Sequence, residues 1–227
     1  MKITKFAQSC LLIETKGKRI LIDPGSLQYN PSYLQNEWAK IDLILITHKH
    51  TDHCNEEAIK QIQSSPYNTP IISSKEVQAA FPNLRIQIVK PGEMLNSAGP
   101  RRGEGIKIEV TRAVHGYHSE LRGPREIHDN IGFIIEENTT RVYITSDTID
   151  FPNDYKCDIV ALPISNHGLV FGAFEAAHFA KDTGAKLLIP LHYDNPKYPI
   201  NREQVETEFQ KQAINYKFLD IAESIEL

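Results

Sequence analysis

Leu43-Ile44-Leu45-Ile46-Thr47-His48-Lys49-His50-Thr51-Asp52-His53 decides the reading of this chain. Four apolar residues run into a stretch that carries three imidazoles and a carboxylate. Neutral imidazole and carboxylate oxygen are donors that Zn, Mn and Fe accept, and this stretch offers nothing softer. On a strand or extended turn His48 and His50 point the same way, because side chains alternate with period 2. Asn55-Glu56-Glu57-Ala58-Ile59-Lys60-Gln61-Ile62 then reads as a helix, so Asp52 and His53 arrive at its start. The chain has only nine His, which makes this clustering unlike chance.

Such a site needs more donors than one loop supplies, and three further strand-like runs provide them. Ile106-Lys107-Ile108-Glu109-Val110 alternates as a half-buried strand does and continues through Thr111-Arg112-Ala113-Val114 to His115. Arg141-Val142-Tyr143-Ile144-Thr145-Ser146 ends on Asp147, and Leu187-Leu188-Ile189-Pro190-Leu191 ends on His192. Apolar strands that each finish on His or Asp place their donors along one edge of a packed sheet, where rigid elements hold chemistry.

In this order, H-x-H-x-D-H, a later His, a strand-terminal Asp and a late His resemble the metallo-β-lactamase superfamily. The closer likeness is to its metal-dependent hydrolase branch, which includes L-ascorbate-6-phosphate lactonase and N-acyl-phosphatidylethanolamine phospholipase D. Leu21-Ile22-Asp23-Pro24, Ala113-Val114-His115-Gly116, Asn130-Ile131-Gly132-Phe133, Asp147-Thr148, Leu162-Pro163-Ile164 and Ile189-Pro190-Leu191-His192-Tyr193 extend the resemblance over essentially the whole chain. It implies an α/β fold, a four-layer αββα sandwich of two mixed sheets flanked by helices. It also implies two divalent metal ions, Zn or Mn, with Fe as a further option. His48, His50 and His115 would hold one; Asp52, His53 and His192 would hold the other; Asp147 would bridge them. Asp23 either orients a ligand imidazole through its other ring nitrogen or is a turn residue before Pro24. His118 competes with His115 as ligand, and the strand-end position and the Ala-Val-His-Gly match favour His115. Two departures stand out: Ser146 where relatives usually carry Gly, and Ser165-Asn166-His167-Gly168 where many carry Gly-Gly.

Two cations about 3.5–4 Å apart lower the pKa of a shared water and polarise the bond it attacks. The resemblance therefore implies a metal-bound hydroxide at a binuclear site, acting on a small lactone, ester or phosphoester. Asp52 is the candidate catalytic group that orients it. His118 or His167 is the candidate proton donor to the leaving group. Arg122, Arg125 and His128 share the loop from His115 to Asn130 and suit an anionic substrate. Glu120, Glu126 and Asp129 interleave with them, which also fits a solvated mixed-charge loop. His178, within a helical stretch, reads as an ordinary packed or surface residue.

A phosphodiesterase or nuclease on the same fold is the alternative function. Net charge −4 and the lack of a basic run argue against long nucleic acid, since phosphate neutralisation needs clustered Lys and Arg. A non-catalytic metal-binding protein is the remaining reading, and the full ligand set argues against it. No run approaches the ~18 apolar residues of a membrane span, and Met1 to Phe6 reads as a strand, without a signal segment. Cys10, Cys54 and Cys157 are widely spaced without C-x-x-C, which fits a reducing cytoplasm; Cys54 reads as a small packing residue. The expected partner is a small molecule rather than a membrane, with a homo-oligomer left open.

With 227 residues, 41% of them hydrophobic, the chain can bury a sizeable core, and we read residues 1–227 as a single domain. Strands are expected at Lys2–Gln8, Cys10–Glu14, Arg19–Ile22, Pro70–Ile72, Leu84–Val89, Ile106–Val114, Asp158–Ile164 and Lys217–Ile221, with a hairpin around Asn138. Helices are expected at Lys75–Ala80, from Phe174 to a C-cap at Gly184, and at Glu203–Ala213. Tyr29–Trp38 reads as a loop near the site mouth.

Overall fold

The computed structural model describes residues 1–64, 68–96, 105–116, 127–151 and 154–227. Two sheets face each other. The first runs in the order β13 (Ser224–Glu226), β1 (Lys2–Lys5), β2 (Leu11–Thr15), β3 (Lys18–Ile22), β4 (Leu43–Leu45), β5 (Ile71–Ser73), β6 (Ile86–Ile88). The second runs β12 (Leu187–Leu191), β11 (Ile159–Pro163), β10 (Thr140–Ile144), β9 (Ile131–Glu137), β8 (Lys107–Arg112), β7 (Met94–Asn96).

Strand parity explains the layers. Leu11, Ile13, Ile20, Ile22 and Leu45 meet Val110, Phe133, Val142, Ile144, Ala161, Ile189 and Leu191 between the sheets. Their neighbours Leu12, Leu21 and Ile44 face outwards onto α1 (Glu56–Gln63) and α2 (Lys75–Ala80). Tyr143, Val160, Leu162 and Leu188 face α3 (Ala173–Thr183) and α4 (Arg202–Lys211). The central strands are buried on both faces and read as near-continuous apolar runs, whereas β6, β7 and β8 keep exposed positions. The result is the expected α/β four-layer sandwich of two mixed sheets.

Local signals place the helix ends. Asn55 caps α1 by accepting from the Ala58 N–H, Ser74 caps α2 through Val77, and Gly184 closes α3 in the left-handed region at φ 74°. The β2–β3 turn uses Lys16 and Gly17, both at positive φ, as a two-residue hairpin requires.

Two strands differ from expectation. The terminal strand is Ser224–Glu226, paired antiparallel with β1, rather than Lys217–Ile221. Phe218 and Leu219 are apolar because they fill the core, beside backbone bonds that tie Asn215 and Lys217 to Leu188. β7 was not expected, since Met94-Leu95-Asn96 has no strand pattern and is held by pairing with β8. Among the described residues no helix is long and apolar enough to cross a membrane.

Candidate metal centre

Topology gathers the candidate donors. In the first sheet β3 and β4 are parallel, so Asp23, one residue past β3, and His48, three past β4, emerge at the same edge. In the second sheet β10 and β12 are both parallel to β11. β8 is antiparallel to β9, which is antiparallel to β10, so β8 points the same way. His115, Asp147 and His192 therefore leave one end together. The expectation of a single sheet edge is corrected here: the donors come from facing edges of both sheets, and the cluster spans the sandwich.

His48, His50 and His115 form one group of donor atoms mutually within 4.8 Å; Asp52, His53 and His192 form a second; His48, His53 and Asp147 form a third that joins them. Asp147 lies between the first two. Its Oδ1 is 3.4 Å from His53 Nε2, and its Oδ2 is 3.5 Å from His115 Nε2 and 3.7 Å from His192 Nε2. His53 Nε2 and Asp147 Oδ1 are buried and make no hydrogen bond among the described residues. Buried polar atoms are almost always partnered. Buried atoms without a hydrogen bond, converging from a donor set of imidazoles and carboxylates, fit a divalent cation.

Asp23 is fully buried and accepts from the Thr47 N–H at 2.8 Å, the Thr47 hydroxyl at 2.7 Å and His53 Nδ1 at 2.8 Å. The His53 bond turns Nε2 towards Asp147, so Asp23 orients an imidazole while also shaping the turn, at φ 47°. Ser146 sits at φ 65°, a backbone region where glycine is the usual occupant. Here the serine hydroxyl donates to Asn130 Oδ1 at 2.6 Å, and Asn130 donates to the Asp147 carbonyl. Thr47 Oγ1 lies 3.1 Å from His48 Nδ1, a contact that directs the other ring nitrogen inward.

Electrostatics of the metal-free cluster split the histidines. Burial, then His53, hold His48 well below the usual imidazole range, and burial with His115 lowers His50. Burial would lower His53 too, yet Asp147, Asp23 and Asp52 outweigh it and raise it well above that range. His192 is raised against its burial by Asp147 and Asp52. Burial opposes ionisation of Asp52 and Asp147, but His53 and His192 prevail, taking Asp52 to about 2 and Asp147 well below the usual carboxylate value. Opposed shifts clustered in this way are a feature of functional sites.

Of the other candidates, His118, Arg122 and Arg125 lie outside the described residues. His128 is exposed, and its N–H and that of Asp129 donate to Glu76 Oε2 at 2.9 and 2.8 Å. Glu76 also pairs at 3.1 Å with Lys49, which tethers His128 and Asp129 to the His48–His50 turn. His167 stands 6.4 Å ring to ring from His192 and 4.6 Å from Tyr198, on the rim by the second group. His178 packs on Phe174 along α3, away from the cluster. Cys54 is buried and its thiol is pushed up by desolvation, as a packing residue's would be. Sequence reasoning missed Gly25, Thr47, Asn130 and Glu76. Thr47, a hydroxyl beside His48, and Asn130, which opens one of the matched fragments, carried a signal without a role being assigned.

The family described as "Beta-lactamase superfamily domain" matches residues 2–192. The chain is 32% identical to a "UPF0173 metal-dependent hydrolase" of Korarchaeum cryptofilum over 85% of its length and 83% of that protein's. A protein of the same name from Archaeoglobus fulgidus is 30% identical, with 97% and 94% covered. A metallo-β-lactamase fold protein from Bacillus subtilis superposes with a TM-score of 0.76 at 17% identity, covering 100% of this chain and 98% of its own.

Proposed function

This chain belongs to the β-lactamase superfamily, and from that premise we propose that it is a metal-dependent hydrolase of a small anionic lactone, ester or phosphoester. In this reading His48, His50 and His115 hold one divalent cation, Asp52, His53 and His192 a second, and Asp147 reaches both. The observation that carries it is the placement of Asp147, within 3.7 Å of a ring nitrogen from each group, while its Oδ1 and His53 Nε2 face each other at 3.4 Å and make no hydrogen bond among the described residues. Held by these residues, divalent cations would supply an acidified water and Lewis-acid polarisation of the scissile bond.

The protein's own residues do the rest. Asp23 holds the His53 ring by its Nδ1, and Thr47 holds His48. Asp52, 26% exposed at its side chain, faces the opening and orients the attacking water. His167 and Tyr198 form a wall on the His192 side that receives the leaving group. We assign anion binding to Arg122 and Arg125 and a proton to His118, which lie within ten residues of His115 along the chain, a span of at most about 3.6 Å per residue.

The test joins metal analysis to a substrate screen. Purified protein should carry two ions per chain. His50→Ala and Asp147→Ala should each lose metal and turnover together, while His178→Ala loses neither. The screen spans lactones, carboxylic esters, phosphodiesters and short RNA, the last to test the nuclease alternative. A plateau at one ion despite added Mn or Zn, or full activity in Asp147→Ala with both ions bound, refutes the assignment.

A further inference from the structure

β1 contains a residue that its period forbids. Ile3 packs between the two sheets, so alternation sends Lys5 to the same interior face, while Phe6 turns to the outer core. The Lys5 side chain is 0% exposed. A buried ammonium is tolerated only when paired and fully hydrogen-bonded. Lys5 Nζ donates to the Phe6 carbonyl at 2.8 Å and to Asp194 Oδ2 at 2.9 Å, and it lies 4.8 Å from the centre of the Tyr193 ring. All three proton directions have a partner.

Asp194 comes from the other sheet, two residues beyond His192. Besides Lys5 it takes the Gln8 N–H at 3.0 Å and the Gln8 side-chain amide at 3.3 Å. Gln8 is fully buried, and Asn195 donates to its Oε1 at 3.2 Å. The Gln8 carbonyl then accepts the backbone N–H of His192 at 3.2 Å. Gln8 and His192 both sit in the left-handed region, at φ 58° and 62°. Non-glycine residues are uncommon there, and at buried sites the surrounding contacts hold them. The ion pair and its amide bonds are those surroundings, and they tie the end of β1 to the end of β12 beneath the cluster.

We infer that Lys5, Gln8 and Asp194 are positioning residues for His192: this buried knot sets the affinity of the Asp52–His53–His192 group for its cation without touching the cation. The inference rests on the two-cation reading above. None of the three is among the donors of the other group, His48, His50 and His115, which hangs from β4 and β8. Losing the knot therefore weakens one site and spares the other, an asymmetry that general loss of stability does not produce.

The experiment titrates metal-free protein with Zn(II) against a chromophoric chelator and extracts two dissociation constants. Removing one charge leaves the other buried and unpaired, so the main variant is the double Lys5→Met/Asp194→Asn, which removes both at similar volume. Gln8→Gly is the second: glycine accepts φ 58° without strain, and the change removes the side-chain amide bonds together with the buried side chain that makes them. Circular dichroism confirms folding of each. One constant should weaken by about 10–100-fold, the range for groups that orient metal ligands, with the other unchanged within about threefold. In a His192→Ala background the same changes should leave the remaining constant unmoved, because their effect runs through His192. Two unchanged constants in a folded variant, or equal loss at both, overturn the inference. A wild-type protein that takes up fewer than two ions instead overturns the two-cation reading.

Discussion

Gly25→Ala tests how tightly the centre is built. Gly25 is buried, and a Cβ on it would lie 1.8 Å from the Asp52 carbonyl oxygen and 2.2 Å from the Asp52 carbonyl carbon. Ordinary contact begins at 3.4 Å, so the two backbones must separate by about 1.6 Å. They are stitched on either side: the Ser26 N–H donates to Thr51 O at 2.8 Å and the Asn55 N–H to Pro24 O at 2.7 Å. Separation strains both bonds, each worth about 0.5–1.5 kcal/mol net. Overpacking of this kind costs about 1–3 kcal/mol. At about 2–4 °C per kcal/mol for a chain of this size, Tm should fall by roughly 2–12 °C. The effect on metal is larger in kind, because metal–ligand distances tolerate about 0.2 Å and Asp52 moves several times that. Differential scanning calorimetry of metal-free protein measures the first effect and Zn(II) titration the second. An alanine variant that melts with the wild type and binds both ions with unchanged affinity would refute the close-approach argument.

Two further predictions follow from the same centre. Asp23→Asn removes the carboxylate that takes His53 Nδ1, and should weaken metal binding by about 10–100-fold in a competition titration; unchanged affinity would mean that packing alone holds the ring. The raised His53 and His192 set the pH dependence. Their pairing with Asp147 and Asp52 stabilises metal-free protein fully below the unfolded imidazole value of about 6.5, and this contribution is lost as pH rises through the raised folded values. A cation must displace those protons, so binding tightens over the same range. Melting curves from about pH 6 to about 9 should show the metal-free Tm falling while the increment from added Zn(II) grows. An increment that is flat or shrinks with pH would contradict the protonated resting cluster.

Much of this protein is legible along the chain because its signals are local. Leu11 to Ile13 and Ile20 to Ile22 alternate between inner and outer cores, and Asn55, Ser74 and Gly184 end helices by contacts within a few residues. Three strands run out onto His48, Asp147 and His192, and a fourth onto His115; the residue types alone mark candidate metal donors. What the sequence could not decide depends on contacts between distant segments. Ser224–Glu226 is a strand only because the edge of β1 is there to pair with it. Gly25 is required by the backbone of Asp52, and Lys5 tolerates burial because Asp194, 189 positions away, meets it. The donors' convergence from facing edges of two sheets is likewise a property of sandwich packing. Periodicity and capping report short-range preference, whereas close approach and buried charge pairing exist only once the sheets have met. The sequence by itself therefore determined the layers and the candidate donor types, and tertiary structure decided the geometry that gathers them.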